Sequence, residues 1–457
     1  MFLKLLSLNR TLIIVTLTGF LIRFIFLIYQ YNNLDLAESF VVQSEIGRNI
    51  LRGEGLVINP VYMTNVVTIW RSEQKLIDYQ DLPPPKEEKV VATYLDEPGY
   101  GILLAFLWKI FGAQRWIYVR VLQIILDTMM IVILYLIGRE IWNRKVGITV
   151  ATLYAFFIPH IELVIRPHRD AWVTFAFIIS ILILISFVKN PYNRTSIFGF
   201  ISLGIIIAIV AWLRSTIVAY TIFAGFIILI TNPSKRMFAL VLIMLVFFSL
   251  MISPLVLRNY KQFGKLLITR GAVWHSFWAG IGQFPNKYDL IDKDAEVIRF
   301  CLSKDSTAYY GTERYEQILK EEAFKLFKEN PIWYMTTVIR RSFVILSPKI
   351  GREIFLQKST TNTDTGIHNQ AFGKPILLIF DFVFVIGLIS GLWISRMNFR
   401  MNIIIALPLI YSIIMLSPFY VVGRNILNVY FVTLIFSAIT IVWIWERINA
   451  KLLKKVN

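Results

Sequence analysis

The sequence predicts an all-α polytopic membrane protein, a bundle of about ten transmembrane helices with interfacial helices in two large outer loops. Three observations predict it. Six stretches, 12–28, 197–212, 216–230, 237–251, 376–394 and 429–445, are long and apolar, and only Arg23 and Asp381 interrupt them. A helix needs about 20 apolar residues to cross a bilayer core, and fewer when its ends snorkel. Second, the 457-residue chain is 56% hydrophobic and 17% charged, where a soluble domain carries about 25% charged residues. Third, basic residues cluster between the apolar runs, at Lys4/Arg10, Arg139/Arg144/Lys145, Lys189/Arg194, Lys235/Arg236, Arg396/Arg400 and Arg447/Lys451/Lys454/Lys455. Basic clusters mark the cytoplasmic side of spans.

Placing those six clusters on one side gives ten helices, at 11–29, 117–137, 147–161, 171–188, 196–212, 215–231, 236–255, 375–395, 402–418 and 428–446, with both termini inside. Met1–Arg10 followed by the first apolar run resembles a signal sequence. It has no small-residue cleavage site and the run is long, so it reads as an uncleaved span. The stretch 98–111 is too short to cross comfortably, and 333–345 carries Arg340 and Arg341 in its middle, so both are expected to lie along the interface.

The chain then reads as a single membrane domain, 1–457, with a first extracytoplasmic loop at 30–116, a second at 256–374, and no soluble C-terminal domain. Segment 71–97, with three consecutive prolines and Lys86-Glu87-Glu88-Lys89, reads as a loop excursion. Segment 313–330 alternates charged and apolar residues at helical spacing, which predicts an amphipathic helix on the membrane surface or against the bundle. The net charge is +18, which fits the positive-inside rule or attraction to anionic lipid phosphates. The one cysteine, Cys301, excludes an internal disulfide. No nucleic-acid motif, low-complexity tract or short repeat is visible. The richness in phenylalanine and isoleucine points to an AT-rich prokaryotic genome, and so to a prokaryotic plasma membrane.

Several arginines break the positive-inside pattern. Arg23, Arg120, Arg166, Arg169, Arg214, Arg258 and Arg424 all fall toward the outer ends of spans. Singly, each reads as a snorkelling residue. Together they suggest a phosphate or diphosphate site, because guanidinium offers forked donors to phosphate oxygens. Acids on that face are fewer: Asp35, Glu38, Glu45 and Glu54, the pair Asp96-Glu97, then Glu162 and Asp170. Asp127 and Asp381 lie within spans, where an acid is a site candidate by default. Asp127 is expected to contact Arg120 or Gln123, and Asp381 to partner one of the outer arginines. Arg169-Asp170 reads as an ion pair closing a hairpin. His168 and His275 lack clear acid spacing and make a poor metal site.

The order of motifs is informative. SEIGRNILRGEGL (44–56) is followed by DEPGYGILLAFLWKIFG (96–112) and WIYVRVLQIILDTMMIVILYLIGREIWNRKVG (116–147), then IELVIRPHRDAWVTFAF (161–177), PLVLRNYKQFGKLLITRGAVWHSFWAG (254–280) and EEAFKLFKENPIWYMTTVIRRSFVILS (321–347). This series resembles the GT-C superfamily of membrane glycosyltransferases, nearest the dolichyl-phosphate-mannose–protein mannosyltransferase and aminoarabinose transferase branch, in a bacterial subgroup. Each motif is loose alone; their shared order is the specific part.

The resemblance implies an inverting transfer of a sugar from a polyprenyl phosphate to an acceptor hydroxyl on the extracytoplasmic face. In the family, a first-loop carboxylate deprotonates the acceptor and basic residues hold the leaving phosphate. The family's catalytic acid sits in an Asp-Glu doublet about six residues before the position of Glu45, and counting back lands on Ser39. Glu38 is therefore the first candidate base, Asp35 the second, and Glu45 a third. Arg258, Arg120, Arg169 and Arg424 are the candidates for the donor phosphate. Asp96 and Glu97 match the family's F-E-K-P-P position with one proline retained, and they stand with Asp170 as supporting acids. No cofactor is expected; a divalent metal is allowed by the chemistry but not expected from the nearest relatives. The implied partners are the polyprenyl-phosphate sugar, a protein, lipid or glycan acceptor, and membrane lipids, with no nucleic acid. Three other classes compete: a ligase or polymerase acting on lipid-linked oligosaccharide, a relative that has lost its base, and a transporter. Transporters show duplicated halves and midplane charges, whereas here the charges crowd one end.

Overall fold

In a computed structural model, the residues described are 10–30, 41–61, 63–64, 91–92, 97–189, 196–270, 273–284, 286, 288, 294–347, 373–421 and 423–456. Helix α1 spans Arg10–Gln30, α2 Val41–Leu51, α3 Gly99–Phe111, α4 Ile117–Ile141, α5 Arg144–Ala155, α6 Ile158–Ile165 and α7 Asp170–Lys189. Then come α8 Ser196–Leu213, a 3-10 turn Ser215–Ile217, α9 Val218–Thr231 and α10 Lys235–Phe263. A group of shorter helices follows, α11 Trp274–Ile281, α12 Asp294–Lys304, α13 Glu313–Glu329 and α14 Pro331–Leu346. The chain ends with α15 Gly373–Ile394, α16 Phe399–Leu416, α17 Gly423–Leu427 and α18 Tyr430–Val456. Two short strands, Val57–Ile58 and Val91–Ala92, pair antiparallel.

Seven of these helices are long and apolar enough to cross a membrane, or eight if one bent pair counts as a single span. Among the described residues the count is thus seven or eight where ten are expected. The apolar helix Ser215–Thr231 falls short of the length, and the expected span at 147–161 is two helices, α5 and α6, bent by 55°. Pro159 at the start of α6 explains the break, because proline is tolerated in a first helical turn but lacks the N–H that a continuing helix needs. Expected and observed boundaries otherwise agree closely, except that α18 continues to Val456, well past 446, and α10 to Phe263, well past 255. Its start is fixed by Ser234, which accepts from the Met237 amide at 3.2 Å, and its end by Gly264 at φ 65.

The apolar core runs through α4, α5, α7, α8, α10, α16 and α18. Lipid gives no hydrophobic drive between helices, so close approach and internal polar contacts must hold them. Gly99 shows how closeness serves the site: a Cβ there would collide with the Trp212 carbonyl at the end of α8. The start of α3 is thereby pressed against the turn that follows α8.

Inside the bundle, Arg23 and Asp127 form an ion pair in which both side chains are fully buried. Arg23 also donates to the carbonyls of Gly19 at 2.9 Å and Ala155 at 3.1 Å. Asp127 further accepts from the Tyr154 hydroxyl at 2.6 Å and lies 3.0 Å from His160 Nδ1. This corrects two expectations: Arg23 does not snorkel, and Asp127 answers Arg23 rather than Arg120 or Gln123. Lone charges are too costly in that setting, so the pair ties α1, α4 and α5 together. Asp381 accepts from Ser347 at 2.6 Å and Tyr430 at 3.2 Å.

Helices α11–α13 build a small core of their own around Trp278, Ile298, Cys301, Tyr315 and Leu319. The amphipathic helix expected at 313–330 is α13, and it turns its apolar face into this core. Glu316 takes the amides of Val273, Trp274 and His275 at 3.0, 2.8 and 3.2 Å, and so closes the first turn of α11. Arg341 of α14 is fully buried. It donates to the carbonyls of Gly280 and of Ser417, the latter at 3.0 Å, so the arginine expected to lie near lipid instead bolts α14 to the chain around α11 and α16.

Candidate functional site

The site gathers where α6 passes to α7, α8 to α9, and α3 begins, with α17 alongside. Most of the basic clusters named above lie at the opposite ends of these helices. Two buried carboxylates organise it. Glu97 is fully buried. Its Oε2 accepts from Arg169 Nη1 at 2.6 Å, while Oε1 accepts from the Ser215 amide at 2.6 Å and lies 3.2 Å from Arg270 Nε. Arg270 also donates to the Ser215 hydroxyl at 3.1 Å. Burial pushes the Glu97 carboxyl up, but Arg169, Arg270 and Arg214 outweigh it and hold it at about 2. A group that acidic is ionised at neutral pH and too weak a base to take a proton from a hydroxyl. Its role is to hold arginines in place.

Asp170, at the head of α7, is also fully buried. Its Oδ2 lies 2.6 Å from His168 Nδ1, and its Oδ1 lies 3.5 Å from Arg214 Nε and accepts from Asn428 at 3.3 Å. Arg214 donates to Asn425 of α17 at 2.7 Å. Burial draws the Arg214 guanidinium down to about 10, with Asp170 opposing, so it stays charged at neutral pH. Arg424 lies 4.0 Å from Asp170 and bonds His168 Nε2 at 3.1 Å, with its side chain 40% exposed.

The expected residues are thus distributed as follows. Glu97, Asp170, Arg169 and Arg424 come together. Arg169 and Asp170 are not paired with each other, which corrects the hairpin reading: in the turn between α6 and α7 successive side chains diverge, one to Glu97 and the other to His168 and Arg214. Arg120 is fully buried. Arg258 donates to the Leu56 carbonyl at 2.8 Å and so ties the end of α10 to the segment after α2. Glu45 is buried on α2 and accepts from Asn49 at 3.3 Å. Asp35, Glu38 and Asp96 lie outside the described residues. Among the described residues no group of three His, Cys, Asp or Glu could hold a metal ion.

Sequence reading missed Arg270, Ser215, His168 as a hydrogen-bonding partner, Asn425 and Asn428. Arg214-Ser215 carried a signal, a charged and polar pair between two apolar runs. Arg270 carried none, standing in a long loop among other basic residues.

A polytopic helical bundle with arginines and buried carboxylates massed at one end defines the class. Residues 96–257 match the family model described as dolichyl-phosphate-mannose-protein mannosyltransferase. The matched stretch takes in the motifs beginning DEPGYG, WIYVRV and IELVIRPHRD, so the resemblance drawn from those motifs stands. No curated protein matches the chain. Among solved structures, the archaeal oligosaccharyltransferase AglB from Archaeoglobus fulgidus, in complex with an inhibitory peptide and a dolichol-phosphate, is 14% identical with a TM-score of 0.45 over 88% of this chain and 48% of that one. A structure of the Archaeoglobus fulgidus oligosaccharyltransferase in complex with Zn and sulfate is 11% identical with a TM-score of 0.49 over 96% of this chain and 50% of that one. The chain spans about half the length of these proteins.

Proposed function

We propose that this chain is an inverting glycosyltransferase that moves a sugar from a polyprenyl phosphate to an acceptor hydroxyl at the extracytoplasmic face of a prokaryotic plasma membrane. The observation that carries the reading is the massing of Arg169, Arg214, Arg270 and Arg424 around only two buried carboxylates, Glu97 and Asp170. That excess of positive charge among the described residues suits a phosphate that gains charge as it leaves.

In the proposed step a first-loop carboxylate takes the acceptor's proton, with Glu38 first in line and Asp35 second. The freed oxygen attacks the anomeric carbon from the face opposite the phosphate, the bond from that carbon to the phosphate oxygen breaks, and the electron pair stays on the phosphate. Glu97 is ionised and committed to arginines, which leaves proton abstraction to another acid. Arg424 and Arg169 are proposed to face the departing phosphate, with Arg258 setting the first loop over them. No metal takes part in this proposal.

The test is direct. The purified chain in nanodiscs is given either a polyprenyl monophosphate carrying one labelled sugar or an oligosaccharide on a polyprenyl diphosphate. Release of polyprenyl monophosphate from the first, with the labelled sugar joined to the acceptor in the anomeric configuration opposite to that of the donor, is the expected result. Consumption of the second alone makes the chain an oligosaccharide ligase, and consumption of neither leaves it without this activity.

A further inference from the structure

The contact between Arg424 and His168 fixes more than a distance. A guanidinium can only donate, so His168 Nε2, 3.1 Å from Arg424 Nη1, must accept. That places the single imidazole proton on Nδ1. Two groups compete for this atom, Asp170 Oδ2 at 2.6 Å and the Asp170 amide at 3.2 Å. With the proton on Nδ1 the carboxylate is the partner, and the order becomes Asp170 accepting from His168, and His168 accepting from Arg424. The far end is anchored in turn: Asn428 donates to Asp170, and Thr174 lies 3.3 Å from Asn428. His168 is almost fully buried, and Arg424 is not.

A neutral acceptor does something here that a carboxylate cannot. It fixes the direction of the guanidinium without cancelling its charge. Asp170 stands 4.0 Å from Arg424, at the limit of an ion pair; a carboxylate in hydrogen-bonding contact would bind the guanidinium closely and oppose any incoming anion. We infer that His168 is a positioning residue that holds Arg424, through a neutral hydrogen bond, in the orientation that receives the phosphate of a polyprenyl-phosphate lipid. The inference rests on the function proposed above. The charged groups facing the ring are Asp170, Arg214 and Arg424. Burial lowers the imidazole to about 4, Asp170 opposes this, and Arg424 and Arg214 reinforce it, so the ring is neutral at working pH.

Two substitutions separate the two ends of the ring. His168→Gln keeps an acceptor at the position of Nε2 and loses the donor to Asp170. His168→Asn keeps a donor at the position of Nδ1 and loses the acceptor for Arg424. The measurement is the affinity of the purified chain for farnesyl phosphate, with thermal midpoints to verify folding. The expected pattern is about tenfold weaker binding for Arg424→Ala and for His168→Asn, no further loss in the double variant, and a loss within about threefold for His168→Gln. Wild-type binding by Arg424→Ala overturns the assignment of Arg424 to phosphate, and with it this part of the proposed function. Weak binding by Arg424→Ala together with wild-type binding by His168→Asn overturns the positioning role alone, as does a His168→Gln variant as weak as His168→Asn. Should His168→Asn fail to fold, the wild-type chain reads the same contact: binding declines as His168 protonates near pH 4, and Arg424→Ala lacks that step. Identical pH profiles for the two proteins overturn the inference.

Discussion

Glu97 accepts the backbone N–H of Ser215 at 2.6 Å, although the two residues are 118 positions apart. The amide belongs to the 3-10 turn Ser215–Ile217, whose first N–H groups have no partner within the turn itself. The same carboxylate accepts from Arg169 and faces Arg270. One buried acid therefore fixes the start of α3, the turn after α6, the turn after α8 and the loop beyond α10. These are the segments that would have to keep register around a phosphate.

Glu97→Gln should accordingly damage both stability and activity. Removing one partner from a buried ion pair costs about 3–5 kcal/mol, because the remaining charges lose their counterion. The pH dependence has a definite sign. The folded-state value is depressed from 4.5 to about 2, so the stabilising contribution is complete above about 4.5 and is lost as pH falls toward 2. Thermal midpoints across that window should fall for wild type and change less for Glu97→Gln. Parallel curves for the two proteins would remove Glu97 from this role.

Arg23→Leu and Asp127→Asn should each destabilise the bundle by about 3–5 kcal/mol, since either leaves a charge buried among α1, α4 and α5. The double variant Arg23→Leu/Asp127→Asn should lose less than the sum of the two singles, and detergent-solubilised midpoints measure this coupling. Additive losses would mean that the two side chains do not depend on one another.

How much of this was legible beforehand follows a physical divide. Apolar runs exposed most helix positions to within a few residues, because lipid crossing demands length and composition that sequence displays directly. The break between Ala155 and Ile158 was not legible from hydropathy, which does not sense a change of helix direction; Pro159 was the available signal. Charges that flout the positive-inside pattern pointed to Arg169, Arg214 and Arg424. Their partners stayed hidden, since the neighbouring Arg169 and Asp170 invited each other as a pair and only the diverging turn separates them. The pairing of Arg23 with Asp127 joins residues 104 apart, and nothing local in either span announces it.

The base belongs to the first outer loop in the proposed reaction, and the expectation is specific. Glu38→Gln or Asp35→Asn should lower sugar transfer by about 10²–10⁴-fold, the range of a general base, while the chain still reaches the membrane and still binds farnesyl phosphate. Full activity in both singles and in the double variant would send the search to Glu45, which is buried beside Asn49 on α2.

Orientation is testable without any substrate. The basic ends of α4 and α7 are joined by Lys189 to Glu140 at 3.1 Å, and those of α5 and α18 by Lys145 to Glu446 at 2.9 Å, so these clusters form one face of the bundle. The positive-inside rule assigns that face to the cytoplasm. A reporter active only outside the cytoplasm should then be silent when fused near residue 190, at the end of α7, and active when fused near residue 300, within α12. The same series settles the short apolar helices: fusions just before Ser215 and just after Thr231 should give opposite signals if that helix crosses. Matching signals would make it re-entrant, and would shift the side assigned to every later helix. Silence at 300 with activity at 190 would invert the orientation, and would place the arginine-rich centre on the cytoplasmic side.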